Sequence, residues 1–270
     1  MITIFDGFRQ PVCRHHKEGH PHHHPHHDHD HGSGVLRPAV ETQRSGTREI
    51  KVVRRVLDAN ERIAAANRER FAQLGIFVLN VMSSPGSGKT TTLEKTLARL
   101  MPKIRCAVIV GDICTTNDAD RLAVSGAPVV QINTDEFGGD CHLAAHVIEK
   151  AAQSIDLDAV DLLIVENVGN LVCPAEFDIG EDARAVILSV TEGEDKPLKY
   201  PLMFRESDIA ILNKIDLLPY LDYDVKEAVD SIRKVHPDMP VFQMSSKTEE
   251  GMEPWLDWLR DRLRDKRRQV

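Results

Sequence analysis

No apolar run in this 270-residue sequence approaches the roughly 18 residues that a membrane-crossing helix needs. Basic charge is also in short supply: 34 Lys and Arg against 42 Asp and Glu leave a formal net charge of −8, which argues against a nucleic-acid or anionic-membrane surface as partner. Met1 to Phe8 lack both a basic leader and an apolar stretch, so no secretory signal is read there and the expected compartment is the cytoplasm. Cysteine is sparse and odd in number, five in all, which suits a reducing compartment where thiols bind metals or pack in cores; disulfides are not expected. Aromatics reach only 5%, yet 41% of residues are hydrophobic, enough at this length to bury the core of one or two domains.

Composition changes sharply near residue 45. Residues 15–31 carry ten of the thirteen histidines, interleaved with Pro, Asp, Lys and Glu, and have no apolar periodicity. Residues 1–45 are read as a disordered His-rich tail, with His22, His23, His24, His26, His27, His29 and His31 among the ligands of a loose, low-affinity site for Ni²⁺ or Zn²⁺. Residues 46–270 form the folded domain. It opens with one long helix over Thr47–Leu74, where Ile50, Val53, Val56, Leu57 and Ile63 recur at helical spacing, either continuous or broken near Asp58. Short apolar runs at 76–82, 105–110, 128–132, 161–165, 185–190, 208–212 and 240–244 then alternate with helical patterns such as 90–100, 143–152, 225–235 and 252–264. That alternation predicts an α/β fold: a doubly wound, mostly parallel sheet with helices on both faces.

The first strand runs into Ser83-Ser84-Pro85-Gly86-Ser87-Gly88-Lys89-Thr90, with a helix after it. Small residues let backbone N–H groups point at an anion, a lysine reaches the outer phosphates, and a hydroxyl meets Mg²⁺. Gly86, Ser87, Gly88, Lys89, Thr90 and Thr91 are therefore nucleotide contacts, although Ser83 stands where the usual pattern has its first glycine. Asn213-Lys214-Ile215-Asp216 follows a later strand, and Ser245-Ser246-Lys247 the next one. A carboxylate there accepts from guanine N1–H and the 2-amino group, which adenine lacks, so Asn213, Lys214, Asp216, Ser246 and Lys247 point to GTP rather than ATP. Glu166-Asn167-Val168-Gly169 ends another strand in an acid and a glycine: Glu166 suits Mg²⁺ or its water, and the Gly169 N–H the γ-phosphate. Between them, the polar stretch from Gly111 to Asp120 looks like a switch segment. Asp112 and Asp118 are its candidate Mg²⁺ ligands, with helix capping the alternative for Asp118. Lys89, Asp118 and Glu166 form the expected catalytic set of a GTPase, slow because no catalytic Gln or Arg finger is evident.

A second constellation is Cys141-His142, with His146 four residues on, and Cys173 just beyond Gly169. Thiolate and imidazole are the donors that Ni²⁺ and Zn²⁺ prefer, and the same ligands suit both metals. Cys106 reads as a core residue, Cys114 as a bland member of the switch, and His236 as structural.

Together these residues resemble the HypB family of nickel-incorporation GTPases of [NiFe]-hydrogenase assembly. The likeness covers roughly residues 46–265 and also rests on Asp118-Ala119-Asp120-Arg121, Asn170-Leu171-Val172-Cys173-Pro174 and Glu192-Gly193-Glu194-Asp195-Lys196-Pro197. It implies a phosphate-loop NTPase of the SIMIBI class that forms a homodimer on GTP binding. It also implies a Ni²⁺ or Zn²⁺ site of Cys141, His142 and Cys173, with His146 an occasional further ligand and Lys196 a contact to nucleotide or partner subunit. The implied partners are a HypA-type nickel metallochaperone and the hydrogenase large-subunit precursor. The Cys-x-x-Cys-Gly-Cys start of some members is absent here, where only Cys13 lies near the beginning. The urease accessory GTPases fit less well, since their Cys-Pro-His motif is not found.

Overall fold

The computed structural model describes residues 2–5, 45–101, 103–112, 117–134 and 142–268, with the side chains of the first helix described from Val56 onward. The histidine-rich tract, Cys114 and Cys141 lie outside the described residues.

Eight strands form one sheet. In chain order they are β1 (Ile2–Phe5), β2 (Phe77–Ser83), β3 (Cys106–Asp112), β4 (Val129–Asn133), β5 (Leu162–Gly169), β6 (Ala183–Ser189), β7 (Ile209–Asn213) and β8 (Val241–Gln243), and they stand in the order β1-β4-β3-β5-β2-β6-β7-β8. All pairings are parallel except β1 with β4, where Ile2 faces Ile132 and Phe5 faces Val129. Strands β2 to β7 are almost wholly buried, which explains why their sequences are continuous Val/Ile/Leu runs without alternation: helices cover both faces.

Helices α2 (Lys89–Leu100), α3 (Asn117–Ala123) and α9 (Met252–Arg267) lie on one face, where Leu93, Leu97, Trp255 and Leu259 pack on β2, β3 and β5. Trp255 keeps its indole satisfied by donating to Thr96 Oγ1 at 3.0 Å. On the other face, α1 (Ser45–Gln73) and α4 (Ala145–Ala152) bring Phe71, Val147 and Ile148 against Val78, Ile109 and Leu163. Three short helices, α5 (Cys173–Glu176), α6 (Lys196–Lys199) and α7 (Pro201–Arg205), and the longer α8 (Val225–Val235) cover β6 and β7. Asp224 caps α8 by accepting from Lys226 N at 2.8 Å and Glu227 N at 3.1 Å. Among the described residues no helix is long and apolar enough to cross a membrane.

The long helix is present, and α1 runs unbroken through Asp58, because its residues around that point, Leu-Asp-Ala-Asn-Glu-Arg, include no Gly or Pro and Asn60 faces inward. Within the stretch read from sequence as a tail, Ile2–Phe5 form a strand that covers the edge of β4, which would otherwise present unpaired backbone groups.

Candidate functional site

The C-terminal ends of β2, β3, β5 and β7 converge, as a doubly wound sheet requires of its ligand side. They line a cleft of about 540 Å³ that holds Gly86, Gly88, Lys89, Thr90 and Thr91 with Asp112, Asp118, Glu166 and Gly169. A smaller pocket beside it holds Thr91, Asn213, Lys214, Asp216, Ser246 and Lys247. The sequence-predicted contacts from four separate segments are thus brought to one side of the sheet.

The loop after β2 is built around two buried requirements. Gly88 has φ +98°, and a Cβ there would stand 2.5 Å from Asn213 Nδ2, so only glycine lets the loop approach that side chain. Asn213 is a brace: its Nδ2 donates to Ser87 O at 2.9 Å, and its Oδ1 accepts from Ser246 N at 3.0 Å and Ser246 Oγ at 2.9 Å. Lys214, in a left-handed conformation, reaches back to donate to Gly86 O at 2.6 Å. Asp216 accepts from Ser245 Oγ at 2.6 Å, which fixes its carboxylate at the smaller pocket. Ser245 stands in the Ser245-Ser246-Lys247 motif but was not itself named as a contact; its hydroxyl acts through Asp216.

Ser83, at the position of the pattern's first glycine, has a use here: its hydroxyl accepts from Lys89 Nζ at 3.0 Å. Burial lowers the Lys89 pKa, with Glu166 the largest influence opposing it. Glu166 is itself fully enclosed, and desolvation pushes its carboxyl up to about 7. Its Oε1 accepts from Thr90 Oγ1 at 2.8 Å, whereas its Oε2 is buried with no hydrogen-bond partner. A buried carboxylate oxygen of this kind, next to the Thr90 hydroxyl in a cleft that Asp112 and Asp118 also line, suits one contact to a divalent cation.

Arg121 also lines this cleft and was assigned no role from sequence. It donates to Glu94 Oε2 at 2.6 Å and Thr91 Oγ1 at 2.9 Å and lies 3.6 Å from Asp118. Glu192 ties the loop ahead of α6 to the phosphate loop, accepting from Ser84 Oγ at 2.5 Å and Ser189 N at 3.1 Å; Lys196 stands 4.0 Å from it and over the Tyr200 ring.

Of the thiol and imidazole constellation, His142 stacks on Phe177 with ring centroids 3.7 Å apart, and His146 is exposed on α4. Contrary to the expectation of no disulfides, Cys173 is disulfide-bonded; bound in that way its sulfur is no metal ligand, and reduction is required to make it one. Among the described residues no three or more His, Cys, Asp and Glu side chains are placed so that together they could hold a metal ion, and Cys141 and the seven tract histidines His22, His23, His24, His26, His27, His29 and His31 lie outside them. Cys106 is a buried free thiol held near 12 by desolvation, and His236 Nδ1 sits 3.2 Å from Phe204 O. Both are structural, as expected.

Residues 77–243 match the family described as CobW/HypB/UreG, nucleotide-binding domain. The hydrogenase maturation factor HypB of Escherichia coli (strain K12) is 51% identical over 215 residues, 80% of this chain and 73% of that protein. The chain belongs to the HypB maturation factors of this family. The probable hydrogenase maturation factor HypB of Methanocaldococcus jannaschii is 38% identical over 216 residues, 80% of this chain and 96% of that protein. Among solved structures, HypB from Helicobacter pylori in complex with nickel superimposes with a TM-score of 0.72 at 42% identity, covering 77% of this chain and 96% of that one. HypB from Archaeoglobus fulgidus gives 0.71 at 37%, covering 76% and 99%. The expected phosphate-loop NTPase fold is thereby established, and α1 lies ahead of the matched nucleotide-binding domain.

Proposed function

We propose that this HypB protein is a GTP-hydrolysing switch that delivers nickel during hydrogenase maturation. Support for guanine comes from Asp216, whose carboxylate is fixed by Ser245 beside a pocket fitted with Lys214 and Lys247. Lys89 and the loop N–H groups neutralise and orient the phosphates. Thr90 and Glu166, with Asp112 or Asp118, would hold Mg²⁺, which when bound draws negative charge from the β- and γ-phosphates. The nickel cargo is read as bound by Cys141, His142 and reduced Cys173, with His146 an occasional further ligand; the same donors take Zn²⁺. Release goes to a HypA-type metallochaperone and on to the hydrogenase large-subunit precursor, in the cytoplasm, with a homodimer formed on GTP binding.

One observation carries the coupling of the two sites. Asn167, adjacent to Glu166 and lining the nucleotide cleft, accepts through Oδ1 from Leu143 N at 3.3 Å, the residue next to His142. Its Nδ2 donates to Asn80 Oδ1 at 3.2 Å. A shift of β5's end toward the γ-phosphate therefore pulls on the backbone that carries the imidazole. By reciprocity, metal must alter nucleotide affinity by the same factor. The test is a Ni²⁺ titration of the reduced full chain, followed by the thiolate-to-nickel absorption that histidines alone do not give, with GDP and with a non-hydrolysable GTP analogue. Nucleotide-dependent affinity that disappears in Asn167→Leu is expected. Equal nickel affinity in both nucleotide states would end this reading.

A further inference from the structure

Two asparagines of α1 are buried, Asn60 at 7% and Asn67 at 2% exposure. They sit seven residues apart, two turns along one helix face. A carboxamide taken out of water is costly unless its polar atoms are partnered, and both residues spend their hydrogen bonds on the same two pieces of backbone. Asn60 Oδ1 accepts from Ala145 N at 2.8 Å, and its Nδ2 donates to Asp178 O at 2.7 Å. Asn67 Nδ2 donates to Ala145 O at 2.9 Å and to Ile179 O at 3.1 Å.

Those two pieces are the ones that carry the described metal-site residues. Ala145 starts α4 three residues after His142, and Asp178 and Ile179 follow Phe177, on which His142 stacks, in the segment that begins with Cys173. The approach is too close for any other residue at the crossing point. Gly180 has φ +91°, and a Cβ there would lie 2.6 Å from Asn67 Cβ and 2.7 Å from Ala64 O. Arg68 adds an ion pair to Asp178 at 2.6 Å, but it touches only this second segment.

We infer that Asn60 and Asn67 are positioning residues of the metal site: α1, a helix outside the matched nucleotide-binding domain, stitches the His142 segment to the Cys173 segment and sets the spacing of their ligands. The inference rests on the reading of Cys141, His142 and Cys173 as nickel ligands. A helix that merely covered the sheet would do so through Phe71 and Ala64 without bridging these two backbones. Outer partners that orient metal ligands characteristically change affinity without changing the ligands themselves.

The test titrates Ni²⁺ into the reduced full chain in a single nucleotide state, GDP, and reads the thiolate-to-nickel absorption. Asn60→Ala and Asn67→Ala are each expected to weaken nickel at that site by about tenfold or more, with GDP affinity changed less than about threefold because the nucleotide cleft shares no partner with them. Arg68→Ala, which loosens the same helix without touching Ala145, is expected to keep nickel affinity within about threefold. Where an alanine variant fails to fold, the near-isosteric Asn60→Asp keeps the acceptor for Ala145 N and loses the donor to Asp178 O, and it must weaken nickel too. Wild-type nickel affinity in the folded asparagine variants, or an equal loss in Arg68→Ala, would overturn the inference. Absence of the thiolate absorption in the wild type, or its survival in Cys173→Ser, would instead remove the metal-site reading and this inference with it.

Discussion

Thr90 and Glu166 face each other across the phosphate cleft, hydroxyl to carboxylate, at 2.8 Å. The contact joins the start of α2 to the buried end of β5, and it leaves the other oxygen of Glu166 buried without a hydrogen-bond partner. Glu166→Gln keeps the shape and removes the charge. GTP hydrolysis, followed by phosphate release at saturating Mg²⁺, is expected to fall by about 100-fold or more in kcat, with GDP affinity much less affected. Unchanged kcat would remove Glu166 from the cation site.

Asp216 is the residue on which base choice is expected to turn. Replacing it by Asn exchanges an acceptor for a donor opposite the guanine 2-amino group. The GTP affinity of Asp216→Asn should drop by about 100-fold or more, and xanthosine triphosphate, which carries an oxygen at that place, should bind better than GTP. Competition measurements with GTP, xanthosine triphosphate and ATP distinguish these outcomes.

Gly88→Ala meets both a left-handed backbone and the Asn213 side chain. Strain of this kind costs on the order of 1–3 kcal/mol, and displacing Asn213 also loosens its bonds to Ser87 and Ser246. A lowered melting temperature together with loss of nucleotide binding is expected. A variant that binds GDP normally would show that the brace is dispensable.

Asp161, which leads into β5, accepts from Arg105 N at 3.0 Å and Arg105 Nη2 at 2.8 Å, with Arg267 at 3.0 Å. The Arg105 guanidinium holds its carboxyl at about 2, below the ordinary 3.8. The lowered folded value means that its stabilisation is complete above the ordinary pKa and is lost as pH falls from about 4 toward 2. Asp161→Asn should flatten that part of the acid unfolding curve and leave the neutral region's slope alone. Urea melts at several pH values measure this, and parallel curves for the two proteins would refute it.

The parallel sheet was readable because strands covered on both faces must be apolar throughout, and Lys89, Thr90, Asn213 and Asp216 could be singled out because a phosphate or base contact would demand particular groups at fixed distances along the chain; the fold brings them to two adjoining pockets. Ser245, Arg121 and Asn167's link to Leu143 were not assigned in this way. Each acts through a neighbour supplied by a remote segment, and such pairings are created by the fold. Strand β1 escaped for a different reason. Four residues are too few to show a period, and only the open edge of β4 gives them a place.

That edge pairing also decides what β4 offers to other molecules. With Ile2–Phe5 in place, Val129–Ile132 are paired on both sides, by β1 and by β3. Removing those four residues would turn β4 into an open template, on which a strand of another chain could add by backbone hydrogen bonds alone.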